Sequence, residues 1–349
     1  MIEKLNKLYD EGLLQKQVHP NLPLIVWNYT KKVQFEKLWK SDELLTQCRG
    51  LITDVDGNII SRCLSKFFNY EELDYSDIPK EPFDIYEKMD GSYINLFSYK
   101  NEWIFASRGS FISDQAILAK KVFNDKYLNA VSLHDDRNYV MELIGKDNMI
   151  VIYYPENDLI LLTSIITENN EESNIYDKMF DGFNRVKKYD VSGITNLTEL
   201  RKIDGENREG FVIRFRNGFR VKIKYQEYCR LHSIITNVSN LSVWRHLKVD
   251  GDFAELLENV PDEFYKWLND TVFKFRADYN AIELDAYKEF VRIYHKLGFN
   301  TRKEFALEAL KSEHRGILFK IYEDRTYGEL IWKQLRPVFE KPFSENNYT

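Results

Sequence analysis

The chain has 349 residues with a formal net charge of -6, and 44% of its residues are hydrophobic. This length allows two domains with separate cores, and the apolar content argues against intrinsic disorder. The negative overall field excludes general attraction of a polyanion, so any nucleic-acid site must be a local basic patch. The three cysteines have no CxxC spacing, which favours neither zinc nor a disulfide framework and is typical of a reducing cytoplasm.

The first two thirds of the chain are dominated by period-two alternation of apolar and polar residues, which predicts strands. Asn217-Gly218 stands between two such segments and predicts a hairpin turn. Ser113 precedes a helical pattern and is its predicted N-cap. The predicted helices cover 1–11, 114–123 and about 173–183, and the predicted strands cover 24–30, 49–54, 58–62, 83–88, 93–99, 102–110, 139–145, 149–154, 159–166, 208–215 and 219–225.

Helical spacing replaces this alternation after about residue 236. An amphipathic helix is predicted from near Pro261 to about Gly298, because proline is favoured in a first helical turn and glycine just after a last one. Thr301 opens a capping-box pattern for the next helix. The sequence therefore predicts an α+β protein. A domain over 1–238 has mainly antiparallel sheets with flanking helices, and the domain over 239–349 is all-α.

The stretch Lys88-Met89-Asp90-Gly91-Ser92 stands between two alternating segments, FDIYEK and YINLFSY. This pattern predicts two strands of one hairpin with Asp90-Gly91 as the turn. Lys88 is then either a solvated lysine at a strand end or a nucleophile held beside a glycine. An amine attacks phosphorus only when it is neutral, so the second interpretation requires burial or neighbouring cations that lower its pKa.

Three further positions could bind a nucleotide or a metal ion. Arg49 begins a strand and could donate to a phosphate or ribose, although a surface arginine paired with a carboxylate would look the same. Glu142 lies in the apolar strand YVMELIG, where a carboxylate needs a partner such as a ribose hydroxyl or metal-bound water. Glu209 precedes Gly210 at the start of another strand, where its carboxylate could bind a metal.

Two lysines, Lys222 and Lys224, alternate with apolar residues in VKIK, which places both ammonium groups on one face of a strand. Because like charges repel, a shared anion would explain the pair; the alternative is an ordinary solvent-facing strand. Residues 208–224 contain six basic residues and one acid. This local charge predicts attraction of a triphosphate or an RNA backbone.

The order and spacing of these motifs resemble those of the covalent nucleotidyltransferases, the superfamily of polynucleotide ligases and mRNA capping enzymes. KMDGS, MELIG, EGFVI and VKIK resemble the nucleophile motif and the third, fourth and fifth motifs. CRG (48–50), KFFN (66–69), SRGS (107–110) and YxxLHS (228–233) resemble the T4-type RNA ligase 1 family of bacteriophages in particular. One departure is Arg108, which stands where the family usually carries a lysine.

The resemblance implies an ATP-dependent RNA ligase that works in three steps. A lysine takes AMP from ATP, the AMP passes to an RNA 5′-phosphate, and a 3′-hydroxyl then displaces it. The implied partners are ATP, Mg²⁺ (or Mn²⁺) and single-stranded RNA ends, by default those of a broken tRNA. The implied enzyme is a monomer without a membrane partner, in the host cytoplasm if it is phage-encoded.

The family roles are carried over only to matching positions of this sequence. Lys88 would be the nucleophile, Glu209 the metal ligand, and Lys222 and Lys224 the catalytic cations that hold the α-phosphate. The other implied nucleotide-binding residues are Arg49 and Glu142 at the ribose or phosphates, Lys66, Arg108 and Tyr228 at the phosphates, Phe68 as a wall of the site, and Gly91 beside the nucleophile.

Alternative functions stay open on the sequence alone. A DNA ligase or a GTP-dependent capping enzyme would share the motifs but normally carries an OB-fold after the fifth one, whereas the residues after 236 predict helices. An inactive RNA-binding relative would be marked by a lost nucleophile or motif lysine. Lys88, Lys222 and Lys224 are all present, which favours an active ligase.

Overall fold

The computed structural model describes residues 1–190, 197–200, 207–249, 251, 253, 262–297 and 301–342. The chain forms two compact units, Met1–Arg230 and Leu231–Thr349. The first unit combines largely antiparallel sheets with helices and the second is helical, so the predicted α+β fold class is confirmed. The assignment of separate roles to domains 1–238 and 239–349 stays a prediction.

The described strands and helices follow the predicted alternation in most of the first unit. The strands are β1 (Leu14–Val18), β2 (Leu24–Tyr29), β3 (Arg49–Asp54), β4 (Ile59–Ser61), β5 (Phe68–Asn69), β6 (Phe83–Lys88), β7 (Ser92–Tyr99), β8 (Glu102–Ser107), β9 (Arg137–Ile144), β10 (Asp158–Ile166), β11 (Glu172–Ser173), β12 (Lys188–Tyr189), β13 (Gly210–Phe215) and β14 (Arg220–Lys224). The helices are α1 (Ile2–Asp10), α2 (Lys31–Phe35), α3 (Glu43–Gln47), α4 (Asp114–Lys126), α5 (Leu197–Leu200), α6 (Gln226–Asn237), α7 (Asn240–Leu247), α8 (Asp262–Leu297), α9 (Arg302–Ala309), α10 (Arg315–Tyr322) and α11 (Gly328–Gln334).

The described strands form three sheets, with the strand orders β1-β2-β3-β4, β11-β10-β9-β7-β8 and β12-β6-β13-β14-β5. One face of the second sheet is apolar, and its residues Met141 and Leu143 belong to a buried cluster that includes Phe123 of α4. Because side chains alternate along a strand, Glu142 points to the opposite face of β9. The pattern of β9 therefore separates a core face from a face that can carry a site.

The predicted hairpin across Asp90-Gly91 is wrong. β6 and β7 belong to different sheets, and β6 instead pairs antiparallel with β13, with Lys88 opposite Gly210. The segment between them carries the chain from one sheet to the next. Gly91 is required by close packing, because a Cβ atom there would lie 2.2 Å from the carbonyl oxygen of Leu143.

Two other predicted elements are also wrong. Residues 149–154 form no strand, because the backbone N–H groups of Val151 and Ile152 donate to the Asp90 carboxylate at 2.8 and 2.7 Å. Residues 173–183 form no α-helix; the short strand β11 is followed there by a 3₁₀ turn over Lys178–Phe180. Local side-chain hydrogen bonds, such as Asn174 Nδ2 to Asp177 Oδ1 at 2.7 Å, favour turns over a helix in this segment.

Several local signals are confirmed. Ser113 Oγ accepts a hydrogen bond from the Ala116 amide at 3.3 Å and caps α4. Thr301 caps α9 by accepting from the Glu304 amide, also at 3.3 Å. The turn after β13 contains Gly218, whose φ of 86° lies in the left-handed region that favours glycine. Hydrogen bonds and backbone preferences of residues close in the chain therefore set the starts of these two helices and the position of this turn.

The second unit is built on α8, against which α9, α10 and α11 pack. Ile293 of α8, Phe305 of α9 and Leu318 of α10 form one of its buried clusters. The predicted helix ends at Pro261 and Gly298 lie outside the described residues. In the part of the chain that the structure describes, no helix is both long and apolar enough to cross a lipid bilayer.

Candidate active site

One face of the sheet β6-β13-β14 brings three predicted site residues together. Gly210 lies opposite Lys88 on one side and opposite Lys224 on the other. Because Lys222 is two residues before Lys224, all three lysines share this face. A Cβ atom on Gly210 would lie 2.1 Å from the carbonyl oxygen of Ile223, so the glycine permits this close strand packing. Long-range strand pairing therefore places the lysines side by side.

Glu209 links two of these lysines. Its side chain is only 4% exposed; Oε2 lies 2.7 Å from Lys88 Nζ, and Oε1 lies 2.8 Å from Lys224 Nζ. A buried carboxylate is costly unless it is paired, and here both oxygens have a cationic partner. The predicted metal ligand and the predicted nucleophile are thus in direct contact.

Six positive side chains converge on this region and are called the cation cluster: Arg49, Lys66, Lys88, Arg108, Lys222 and Lys224. Burial and then the charges of Lys66, Lys88, Lys224 and Arg49 lower the pKa of Lys222 to about 7. Burial also lowers the pKa of Lys66, with further contributions from other members of the cluster. Six positive side chains around the single carboxylate Glu209 leave an excess of positive charge, which suits a polyphosphate ligand.

Aromatic rings support several members of the cation cluster. The Arg49 guanidinium lies 5.2 Å from the ring centre of Tyr93, and the Arg108 guanidinium lies 5.5 Å from that of Tyr29. Lys66 Nζ lies 4.6 Å from the ring centre of Phe68. Cation–π contacts of this kind hold flexible side chains in place. Phe68, predicted as a wall of the nucleotide site, thus lies directly beside a predicted phosphate-binding lysine.

Glu142 lies on β9 opposite Tyr93. Burial raises the pKa of the Glu142 carboxyl to about 7, and the charges of Glu209 and Asp90 add to the effect while Lys88 and Arg49 oppose it. Burial therefore shifts the carboxyl group towards its protonated form. It can donate as well as accept a hydrogen bond, which suits contact with a ribose hydroxyl.

Sequence reasoning treated Asp90 as a turn residue and missed its part in the site. Asp90 is buried, and its carboxylate accepts from the amides of Val151 and Ile152 and from Tyr228 Oη, the last at 2.7 Å. Burial and the charges of Glu209 and Asp90 raise the pKa of Tyr228, so this phenol remains a donor. Asp90 thus fixes the segment after β6. The available signal in the sequence was a carboxylate two residues after Lys88.

A cavity of about 400 Å³ is lined by Val212 on β13, which lies opposite Lys222 in the sheet. Tyr86 on β6 also lines it. Tyr86 is two residues before Lys88 and Val212 is two residues after Gly210, so both lie on the same sheet face as the Lys88–Gly210 pair. The other lining residues come from β6, β10 to β14 and neighbouring segments: Leu64, Phe67, Asp84, Glu87, Leu162, Thr163, Glu172, Ser173, Asn174, Ile175, Tyr176, Val186, Lys188, Arg214 and Arg220. Of these, the sequence had placed Arg214 and Arg220 in the basic segment 208–224 that was predicted to attract a triphosphate or an RNA backbone.

The carboxylates near Lys88 limit what kind of metal site is possible. Among the described residues, no three His, Cys, Asp or Glu side chains are grouped as a metal site. Mg²⁺ is commonly held by one or two carboxylates together with water and substrate phosphates. Glu209, beside a cluster that suits phosphates, fits such shared coordination but does not fit an all-protein cage.

Lys222 predicts a pH-dependent contribution to stability. Its pKa in the folded protein, about 7, is below the ordinary 10.5, so the unfolded chain binds more protons between these values. The loss of folding stability that comes from burying the Lys222 ammonium is therefore complete below pH 7, and it decreases as the pH rises to about 10.5. Lys222→Met should raise the free energy of unfolding by roughly 1–3 kcal/mol at pH 6 and by less at pH 10. Thermal melts at both pH values measure this difference.

The exposed Lys120 of α4 supplies the matched control for that measurement. Lys120→Met removes the same charge from a solvated position, and its effect should be small and similar at the two pH values. An equal stabilisation of Lys222→Met at pH 6 and pH 10 would contradict the assignment of a buried, charge-crowded ammonium.

Comparisons with known proteins agree with the motifs. A family model described as RNA ligase, that of the T4 RNA ligase 1 type, matches residues 47–228. A protein of Autographa californica nuclear polyhedrosis virus, described as a bifunctional polynucleotide kinase/RNA ligase, is 27% identical over 267 residues. That match covers 68% of this chain and 38% of the viral protein, so this chain spans well under half the length of its relative.

Solved structures similar to this chain include two RNA ligases. An archaeal ATP-dependent RNA ligase is 13% identical, with a TM-score of 0.48 over 78% of this chain and 75% of that one. A Naegleria gruberi RNA ligase with PPi is 15% identical, with a TM-score of 0.38 over 59% of this chain and 73% of that one.

Proposed function

This chain belongs to the T4 RNA ligase 1 family, and on that basis we propose that it is an ATP-dependent RNA ligase. It joins a 5′-phosphate end of RNA to a 3′-hydroxyl end through a lysyl-AMP intermediate and an adenylylated 5′ end. The observation that carries the proposal is the surroundings of Lys88, whose Nζ is paired with Glu209 within the cation cluster.

In the first step, Lys88 Nζ attacks the α-phosphorus of ATP. The Lys88 ammonium first passes a proton to the Glu209 carboxylate, whose Oε2 lies 2.7 Å away. The neutral Nζ then forms the P–N bond as the bond to pyrophosphate breaks and its electron pair leaves with pyrophosphate, and the second proton on nitrogen goes to water. Catalysis of phosphoryl transfer is mostly positioning and neutralisation of charge. Lys222 and Lys224 hold the α-phosphate from the sheet face that they share with Lys88. Glu209 keeps Lys88 Nζ at the end of β6, where the phosphate arrives.

The remaining residues of the cation cluster bind the rest of the substrate. Arg49, Lys66 and Arg108 neutralise the β- and γ-phosphates of ATP or, after pyrophosphate has left, the 5′-phosphate of an RNA. Glu209 is the residue that would hold Mg²⁺ or Mn²⁺ together with phosphate oxygens. Such an ion, when bound, supplies further charge neutralisation and orients the leaving group.

We propose broken tRNA as the natural substrate and the helical unit as the element that recognises it. Residues 291–336 contain ten basic and six acidic residues, so this part of the unit carries the charge that an RNA backbone requires. The nucleotide-binding residues all lie before residue 231, which leaves the helical unit available for the choice of RNA.

The first test is intact mass of the protein after incubation with Mg²⁺ and either ATP or GTP. The expected result is a gain of one AMP with ATP and no gain with GTP. The adduct should be acid-labile, as a phosphoramidate is, and should disappear when a 5′-phosphorylated RNA is added. Labelling by GTP alone would favour a capping guanylyltransferase, and absence of any adduct would favour an inactive relative.

The second test concerns the RNA. The full chain should seal a tRNA cut in its anticodon loop faster than an unstructured RNA of equal length. Equal rates would overturn the tRNA assignment and leave the ligase assignment intact, and a preference for nicked DNA would favour a DNA ligase.

A further inference from the structure

A lysine-rich segment near the start of the chain has no role in the ligase mechanism above. Residues 31–40, KKVQFEKLWK, hold four lysines and one acid in a chain whose formal net charge is -6. They form α2 and the 3₁₀ turn Leu38–Lys40 of the first compact unit. The family model matches residues 47–228, so this segment precedes the matched part of the chain. The family assignment therefore does not account for its composition.

One side of this segment is anchored in the core and the other faces solvent. Val33 is fully buried, and Leu38 and Trp39 pack against the same buried cluster, which also contains Trp27. The outward side chains are called the 31–40 surface: Lys31, Lys32, Phe35, Lys37 and Lys40. Phe35 is 79% exposed. Because the segment is anchored from below, it holds these groups in a defined arrangement.

The exposed ring distinguishes the 31–40 surface from an ordinary solvated lysine face. Lys31 and Phe35 are four residues apart in α2 and so lie on one face, with Cβ atoms about 5–6 Å apart. Among the residues that the structure describes, none forms an ion pair with any of the four lysines. Lysines that hold phosphates beside a ring that stacks on a base are the combination by which proteins bind single-stranded nucleic acid.

Trp39 connects the 31–40 surface to the cation cluster. Its ring centre lies 5.7 Å from that of Phe68 and 4.7 Å from that of Tyr29. Lys66 Nζ lies 5.5 Å from the centre of the Trp39 ring, and the Arg108 guanidinium lies 5.5 Å from that of the Tyr29 ring. The inner side of the segment thus contacts the surroundings of two predicted phosphate-binding residues.

The length of the chain limits the distance between the ring and the cation cluster. Phe35 is four residues before Trp39, so their Cα atoms are at most about 14 Å apart. An RNA strand whose 5′-phosphate is held by Lys66 and Arg108 can therefore reach Phe35 with its first few nucleotides. This continuity assigns the surface to the strand that carries the 5′-phosphate.

We propose that the 31–40 surface binds the single-stranded nucleotides that follow the 5′-phosphate of the RNA. Phe35 stacks on a base, and the four lysines bind backbone phosphates. Stacking and phosphate contacts carry little information about base identity, so the surface binds RNA ends of any sequence. The direction of the strand rests on the proposed function, in which Lys66 and Arg108 hold the 5′-phosphate.

The test uses the full chain, loaded with AMP, and follows transfer of the AMP to a 5′-phosphorylated acceptor by intact mass. Two acceptors with blocked 3′ ends are compared: a twelve-nucleotide RNA and a nucleoside 3′,5′-bisphosphate, which is too short to reach Phe35. The double variant Lys31→Gln, Lys32→Gln should raise the half-saturating concentration of the long RNA about fivefold or more and leave that of the bisphosphate unchanged. The slope of log affinity against log salt should fall by about 1.4, since each phosphate contact of a single strand contributes about 0.7.

The adjacent exposed lysines of α4 supply the matched control, Lys120→Gln, Lys121→Gln. This double variant makes the same change in net charge and should alter neither the affinity for the long RNA nor the salt slope. Equal losses in the two double variants would show an effect of overall charge and overturn the proposal.

The ring is tested by Phe35→Ala. Loss of one stacked base should raise the half-saturating concentration of the long RNA about fivefold or more without changing the salt slope, because stacking releases no counterions. Phe35→Trp should retain the affinity. The control is Ile117→Ala in α4, which removes an apolar side chain that is 61% exposed and should behave as the unmodified protein. Unchanged affinity in Phe35→Ala would overturn the stacking role.

Direct binding separates failure of this inference from failure of the proposed function. Fluorescence anisotropy of the labelled twelve-nucleotide RNA, measured without ATP, should show the same losses in the variants even if the protein forms no AMP adduct. Absence of the adduct in the unmodified protein contradicts the proposed function, whereas normal RNA affinity in the Lys31, Lys32 double variant and in Phe35→Ala overturns the RNA-binding role of the 31–40 surface. Normal AMP transfer to the long RNA combined with weakened use of a long 3′-hydroxyl strand would overturn its assignment to the 5′-phosphate strand.

Discussion

Lys88→Arg is expected to lower covalent labelling by ATP at least about a thousandfold, because a guanidinium stays protonated and cannot attack phosphorus. The arginine keeps a positive charge next to the buried Glu209 carboxylate, which lies 2.7 Å from Lys88 Nζ in the native protein. The fold should therefore survive, and a loss of labelling reports on the nucleophile. Intact mass after incubation with ATP and Mg²⁺ measures the fraction of adenylylated protein.

The matched control for this prediction is Lys120→Arg, the same change at an exposed position of α4. It should label normally. An AMP adduct that persists in Lys88→Arg at native levels, located on another residue by peptide mass analysis, would refute the role of Lys88 while leaving the family assignment intact.

Local sequence patterns were sufficient for part of the site. In VKIK, strict alternation places Lys222 and Lys224 on one face of β14, and the Asn217-Gly218 turn joins β14 to β13. Both features depend on residues that are close in the chain, where side-chain period and turn chemistry act directly. The predicted hairpin between β13 and β14 is confirmed for this reason.

The predicted hairpin at Lys88 is wrong because the true partner of β6 is distant in the chain. Glu209, which pairs with Lys88, is 121 residues away, and no local pattern encodes that register. Alternation showed that FDIYEK and YINLFSY are strands but not with which strands they pair. An Asp-Gly pair between two strands ordinarily predicts a hairpin turn. Here Gly91 instead packs closely on Leu143, and the Asp90 carboxylate accepts hydrogen bonds from two backbone amides, so the chain forms no hairpin.

The Arg214–Glu172–Arg220 group could not have been predicted by the same means. Its members lie on β13, β11 and β14, and the helix predicted over 173–183 would have separated Glu172 from any sheet. The basic composition of residues 208–224 predicted that Arg214 and Arg220 attract an anion, but it did not predict their contacts with Glu172. Only the packed structure shows that Arg214 lines the cavity, with its guanidinium 3.7 Å from Glu172.

The second large effect is expected at Glu209. Glu209→Gln preserves the shape of the side chain but removes the negative charge shared by Lys88 and Lys224, whose Nζ atoms lie 2.7 and 2.8 Å from its oxygens. Breaking a buried pair leaves uncompensated positive charge, so the free energy of unfolding should fall by roughly 3 kcal/mol. Activity must therefore be measured well below the thermal midpoint of the variant, where the protein is still folded.

Under those conditions, lysyl-AMP formation by Glu209→Gln should fall about a hundredfold or more, because Lys88 is no longer positioned and a metal ligand is lost. The two causes are distinguished by the metal titration. If Glu209 binds the ion, the Mg²⁺ concentration that gives half-maximal rate should rise at least about tenfold, since an amide is a weaker ligand than a carboxylate.

Glu227→Gln, at a partly exposed carboxylate paired with Arg230, should change neither the rate of lysyl-AMP formation nor the Mg²⁺ requirement. A reduced rate with an unchanged Mg²⁺ requirement would make Glu209 an ion-pair residue that positions Lys88, and the metal would then have to be held by the phosphates of ATP and other side chains.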